Sequence, residues 1–180
     1  MDGPAVALVT GANRGIGLEV CRQLARGGFT VVLGSRDQAK GETAARAIAP
    51  DGSPGGAVLP YQLDVTDRDS VERARARVAA GLGRLDVLVN NAAILYDTWQ
   101  HATDADLAQV RQALETNLFG AWNMVRAFLP LLRRSSHARV VNVSSEAGSL
   151  AAMGAGGGGG GSPDDGPTGG FFRDGRRLEW

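Results

Sequence analysis

The sequence has little of what most catalytic and metal sites are built from. In 180 residues it carries one cysteine, two histidines, one lysine and two tyrosines. The single cysteine, Cys21, excludes a disulfide framework within the chain and any multi-cysteine metal site. His101 and His137 are too few and too far apart for a histidine zinc site, so no metal is expected. There is no excess of charge. Nineteen Lys and Arg balance nineteen Asp and Glu, which removes the electrostatic argument for a nucleic-acid or acidic-membrane partner. No stretch approaches the ~18 uncharged apolar residues of a membrane span. No basic n-region followed by an apolar run opens the chain, so no secretory signal is expected. A soluble, cytoplasmic protein is the expectation. Glycine is the residue in excess, 26 of 180, against a usual share of about 7%. Twelve of the 26 fall in residues 148–180, six of them in the run Gly156 to Gly161. The excess therefore belongs to the tail.

Ahead of the tail, short apolar runs alternate with helical patterns. Strands are expected over Ala5 to Val9, Phe29 to Leu33, Ala57 to Leu63, Leu85 to Val89 and Arg139 to Val143. Pro60 marks the third of these as an edge strand. Helices are expected from Ile16 to Arg26, with Ile16, Val20 and Leu24 on one face, and from Gln38 to Ile48 after an Asp37 cap. A third follows the capping signal Thr66 to Asp69, and a long fourth follows Thr103 to Asp106. That last helix carries Leu107, Val110, Leu114, Leu118, Trp122, Val125, Phe128 and Leu132 at spacings of three and four, with Pro130 bending its end. Alternating strands and helices mean βαβ units and a parallel sheet covered on both faces. The expected fold is α/β, a doubly wound Rossmann-type sheet of order 3-2-1-4-5 with an incomplete C-terminal part. The domain reading is 1–149 for the nucleotide-binding domain, 150–168 for a glycine-rich linker and 169–180 for a tail.

The strongest motif is Thr10-Gly11-Ala12-Asn13-Arg14-Gly15-Ile16-Gly17, directly after the first strand and opening the first helix. Gly11 allows the sharp turn, Gly15 lets backbone approach a pyrophosphate, and Gly17 lets helix pack close to strand. The helix N-terminus adds free N–H groups and a positive dipole end. The spacing is G-x-x-x-G-x-G, and a plain strand-to-helix turn is the alternative reading of the loop alone.

With four further stretches, the chain resembles the short-chain dehydrogenase/reductase family, and most its carbonyl-reductase branch. These are Leu63-Asp64-Val65, Asn90-Asn91-Ala92-Ala93, Thr116-Asn117-Leu118-Phe119-Gly120 and Val140-Val141-Asn142-Val143-Ser144-Ser145. The resemblance covers residues 5 to about 149 and implies NADP(H) as cofactor and a small carbonyl compound as substrate. It implies that Asp64 bonds the adenine amino group with Val65 beside the ring, and that Asn90 and Asn91 hold the sheet and line the cleft. A turn-capping Asp64 and turn-forming asparagines are the alternatives. The choice of NADP over NAD rests on the end of the second strand, where an acid selects a ribose 2′-OH and an arginine a 2′-phosphate. Here the strand ends Leu33-Gly34-Ser35-Arg36, with Arg14 as a second cation.

In the resembled family, hydride transfer uses a serine after strand five, a tyrosine, and a lysine four residues beyond the tyrosine. Ser145 matches the serine, and Asn117 the asparagine that supports a proton relay. A helix cap is the alternative for Ser145, a satisfied core amide for Asn117. No Tyr-x-x-x-Lys occurs: the tyrosines are Tyr61 and Tyr96, both before Ser145, and Lys40 sits on the second helix. The family pattern passes from just after strand five to a tail resembling its final strand, across the polyglycine run. Three readings stay open: a reductase by descent with weak or lost activity, a non-catalytic NADP-binding module, or a non-functional product of a longer reductase gene. Strand five becomes an exposed edge that invites self-association.

Overall fold

The computed structural model describes residues 3–48, 56–94 and 105–144, and the backbone alone of 171–173 and 176–178. The chain divides into two compact units, Met1–Asn142 and Val143–Trp180. In the first, β1 (Val6–Val9), α1 (Gly15–Arg26), β2 (Thr30–Ser35), α2 (Gln38–Ile48), β3 (Val58–Gln62), α3 (Arg68–Gly81) and β4 (Val87–Asn90) alternate. After β4 come α4 (Leu107–Leu114), a π-helical turn (Glu115–Gly120), α5 (Ala121–Leu132) and β5 (Arg139–Asn142). The five strands form one parallel sheet of order β3-β2-β1-β4-β5, as the alternation of patterns predicts. In the second unit, β6 (Phe171–Arg173) and β7 (Arg176–Leu178) pair antiparallel. The expected linker over 150–168 lies outside the described residues.

The core has two halves, one on each face of the sheet. Val6, Leu8, Val32 and Leu88 face α3 and α5, where Val71, Ala74 and Val78 meet Met124, Phe128 and Leu131. Val9, Val31, Leu33 and Val89 face α1 and α2, which bring Cys21, Ala25, Ala44 and Ala45. Small residues on α1 and α2 let both helices lie close on the strands.

That close approach turns the buried face of α1 away from Ile16, while Val20 and Leu24 still pack half-buried against the core. The helix buries Gly17, Cys21 and Ala25, whereas Ile16 is 65% exposed. The same 3.6-residue period is kept but turned by one residue, because contact with the sheet favours small side chains over large ones. The cap of α3 is Asp67, whose side chain accepts from the Asp69 N–H, so the helix starts two residues earlier than expected. The long fourth helix is interrupted. Its π turn over Glu115–Gly120 takes up an extra residue. Leu107, Val110, Leu114, Leu118 and Trp122 stay exposed; Thr116 and Gly120 are buried within the turn, and Met124, Phe128, Leu131 and Leu132 after it.

At the lower edge of the sheet, Asp86 ties three segments together. Its Oδ2 accepts from the Val6 N–H at 2.7 Å and from Arg84 Nε at 3.0 Å, and its Oδ1 accepts from the Ser135 hydroxyl at 2.6 Å. Burial alone would raise this carboxyl. Ser135, the Val6 N–H and Arg84 together outweigh burial and hold it below the usual carboxylate range.

Candidate cofactor cleft

The upper, C-terminal edge of a doubly wound sheet is where its strand-end loops open a crevice. Here a cleft of about 490 Å³ lies there. Gly11, Asn13, Arg14, Gly15 and Ile16 of the first loop form one wall, Ser35, Arg36, Asp37 and Lys40 another, and Leu63, Val65, Asn91 to Ile94 and Thr116 the remainder.

The first loop leaves β1 through Gly11 at φ +61° and enters α1 through Gly15 at φ +59°, a region disfavoured for other residues. A Cβ on Gly11 would stand 2.8 Å from Ala92 Cα, and one on Gly17 would collide with Asn91 Nδ2. Asn91 explains this crowding. Its Nδ2 donates to the carbonyls of Thr10 at 2.9 Å and Gly11 at 3.2 Å. In return the buried Thr10 hydroxyl accepts from the N–H groups of Asn91 at 3.0 Å and Ala92 at 2.9 Å. The loop after β4 is thus laced to the loop after β1, and the glycine turn is held rigid from behind.

The N-terminus of α1 opens onto this cleft without a cap. Its N-cap residue, Arg14, makes no side-chain capping bond. A Cβ on Gly15 would meet nothing within 4 Å. Free N–H groups, a positive dipole end and open space in front of them make an anion cradle. Three cations, Arg14, Arg36 and Lys40, border the cleft. Asp37 is occupied elsewhere: its Oδ1 accepts from the Lys40 N–H at 3.0 Å, capping α2, and its Oδ2 lies 3.5 Å from the Lys40 amine. The Lys40 N–H, and then its amine, hold the Asp37 carboxyl below its ordinary range.

Other expected site residues fall at the margin of the cleft rather than in its lining. Asp64 closes a tight turn, accepting on Oδ1 from the Thr66 N–H at 2.9 Å and the Thr66 hydroxyl at 2.7 Å. Asn90 joins β4 to β5, its Nδ2 donating to Asn142 Oδ1 at 2.8 Å, while its buried Oδ1 has no hydrogen-bond partner among the described residues. Asn117 is exposed, not a core amide. Its Oδ1 accepts from the Ile94 N–H at 2.9 Å and its Nδ2 donates to the Ile94 carbonyl at 3.0 Å. Ser145 and Tyr96 lie outside the described residues.

The sequence model of the short chain dehydrogenases matches residues 5–156. The chain belongs to this family. Among curated short-chain dehydrogenases, it is 42% identical over 142 residues to bovine carbonyl reductase [NADPH] 1, covering 78% of this chain and 48% of that protein. It is 38% identical over 164 residues to (+)-neomenthol dehydrogenase of Arabidopsis thaliana, covering 82% and 55%. Among solved structures, it is similar to an alcohol dehydrogenase of the archaeon Thermococcus sibiricus complexed with 5-hydroxy-NADP. The TM-score is 0.74 at 32% identity, with 81% of this chain and 60% of that chain covered. The chain thus spans about half the length of the curated short-chain dehydrogenases it matches.

Two residues have parts at the site that the sequence reading did not assign: Lys40, which lines the cleft, and Thr10, which opens the glycine motif but supports the cleft from behind. Lys40 is placed there by its position one turn into α2, three residues after the Asp37 cap, a signal readable from the helix start. Thr10 works through its hydroxyl from a buried site, and only the pairing of β1 with β4 brings it to Asn91.

Proposed function

We propose that this chain is a short-chain oxidoreductase module that binds NADP(H), and that its cleft takes the adenosine and pyrophosphate end of that cofactor. The observation that carries this is the uncapped N-terminus of α1 facing a cleft bordered by Arg14, Arg36 and Lys40. The α1 N–H groups and the backbone at Gly15 hold the pyrophosphate. Arg36, with Arg14, holds the 2′-phosphate as charge-assisted partners. Asn13, Ile16 and Val65 line the nucleotide's path, and Asp64 Oδ2 is the oxygen left for the adenine amino group. Gly11, Gly17, Asn90 and Asn91 shape the cleft from behind.

When bound, the cofactor supplies the hydride for reduction of a small carbonyl compound. Ser145 polarises the carbonyl oxygen. Asn117 is a positioning residue, because both ends of its amide hold the Ile94 backbone at the cleft wall. The acid that should protonate the developing alkoxide has no Tyr-x-x-x-Lys to provide it. A positioned general acid is worth ~10²–10⁴ in rate, so turnover by this chain is lower than that of a complete site by about that factor. Binding without turnover is the second reading, and the missing tyrosine–lysine pair favours it. A non-functional product of a longer reductase gene is the third. Self-association through β5 belongs to the same proposal.

Fluorescence titration with NADPH tests the binding, and NADPH oxidation in the presence of a reactive dicarbonyl tests the chemistry. Saturable binding with slow oxidation that Ser145→Ala abolishes supports the oxidoreductase reading. Binding with no oxidation supports the non-catalytic module. No binding at millimolar nucleotide overturns both.

A further inference from the structure

Gly120 closes the stretch Thr116-Asn117-Leu118-Phe119-Gly120 without itself lining the cleft. It is buried at the end of the π turn, one turn after Thr116, which is buried on the same element and does line the cleft. A Cβ on Gly120 would stand 2.6 Å from Val65 Cγ2 and 3.1 Å from Val65 Cβ. Packed side chains do not approach so closely. The next atom, the Glu115 carbonyl oxygen, would be 3.3 Å away. The obstacle is therefore the Val65 side chain, which is 4% exposed and held between the π turn and the cleft it lines.

Val65 has little freedom to yield. On one side of it the Asp64 N–H donates to the Ser70 hydroxyl at 3.0 Å. On the other, Thr66 is bonded back to Asp64 Oδ1, and Asp67 caps α3. With its backbone pinned at both ends, Val65 can give way only toward the open cleft. The neighbouring wall is built in the same manner. Leu63, also buried and lining the cleft, stands where a Cβ on Gly34 would meet its Cδ2 at 2.9 Å. The two apolar side chains that the loop after β3 gives to the cleft each lean back on a glycine, one on β2 and one on the π turn.

We propose that Gly120 is a positioning residue for the base pocket. Lacking a side chain, it lets Val65 sit back against the π turn and so sets the width of the slot that takes the purine ring. The proposal rests on the adenosine-end reading of the cleft above and deepens it by giving the slot beside Leu63 and Val65 to the base. Gly120 acts through Val65. The π turn then serves the base pocket with both of its buried residues, Thr116 from the lining and Gly120 from behind.

The test is a double-mutant cycle on the full chain with Gly120→Ala, Val65→Ala and the two combined. The ligands are NADPH and adenosine 2′,5′-bisphosphate, which carry the base, and inorganic pyrophosphate, which does not. Gly120→Ala is expected to weaken both base-bearing ligands equally, by about tenfold, the order of one overpacked contact. Pyrophosphate should compete with NADPH as well as it does in the wild type. In the Val65→Ala background, which lacks the Cγ2 that the new Cβ meets, Ala at 120 should change affinity by less than about twofold. That comparison stands even if Gly120→Ala alone fails to fold. A double variant about tenfold weaker than Val65→Ala overturns the proposal. So does a Gly120→Ala chain that binds adenosine 2′,5′-bisphosphate like the wild type, or one that loses pyrophosphate by the same factor. A wild-type chain that binds none of the three ligands overturns the adenosine-end reading and this proposal together.

Discussion

Asn91 joins two loops that lie eighty residues apart in the chain, and Gly17 owes its identity to that contact. Its Nδ2 holds the Thr10 and Gly11 carbonyls, and it leaves no room for a side chain at Gly17. Gly17→Ala is therefore expected to destabilise the fold by about 1–3 kcal/mol, the usual cost of overpacking. It should also loosen the anion cradle, so urea unfolding and nucleotide titration of the one variant both shift. Equal stability and equal affinity would contradict the crowding account. Asp86 makes a second prediction at this scale. A carboxyl depressed in the folded state contributes stability that is present above its unfolded pKa of ~3.9. That contribution is lost as pH falls through the lower folded value. Asp86→Asn should cost about 1–3 kcal/mol at neutral pH, since it leaves buried donors with a poorer acceptor. It should also flatten the acid limb of the stability curve measured below pH 4. The glycine spacing of the first loop was readable from the sequence because each position has a local geometric cause. The Asn91 bonds were not, because they depend on β1 and β4 lying side by side.

Among the elements, the segment from α4 to α5 departs most from its sequence pattern. Spacings of three and four describe an uninterrupted helix, and a π turn leaves no mark on composition. The turn over Glu115–Gly120 brings the Asn117 amide to both backbone groups of Ile94. Asn117→Ala should release that clamp. Hydrogen exchange at the Ile94 amide is expected to rise about fivefold or more, matching a loss of ~1 kcal/mol per hydrogen bond. Far-UV circular dichroism should be unchanged. Unaltered protection at Ile94 would show that the loop is held by other contacts. The α1 face was read one residue out for a related reason. Hydrophobic period finds the stripe of largest residues, Ile16, Val20 and Leu24, whereas close packing on a parallel sheet selects the small stripe Gly17, Cys21 and Ala25. Where a local cap decides the start, as with Asp37 before α2, the sequence marks the element from Gln38 to Ile48 as it is found.

For the whole molecule, the strand order was legible because alternating patterns and right-handed crossovers admit few topologies. The cleft followed from that order, since the loops after β1, β2, β3 and β4 can meet only at one edge. What could not be read was how the charges settle there. Asp37, adjacent to Arg36, caps α2 as its place before the helix predicts, whereas the arrival of Lys40 in the wall beside it was not expected. The central claim is that this cleft holds NADP(H) through cations at the end of β2. It is tested most directly by titrating the chain with NADPH and NADH, followed by nicotinamide fluorescence, for wild type and Arg36→Ala. The account predicts that NADPH binds at least tenfold more tightly than NADH and that Arg36→Ala removes most of that preference while leaving NADH binding in place. Equal affinity for the two nucleotides in the wild-type chain, or a preference that survives the loss of Arg36, would contradict it.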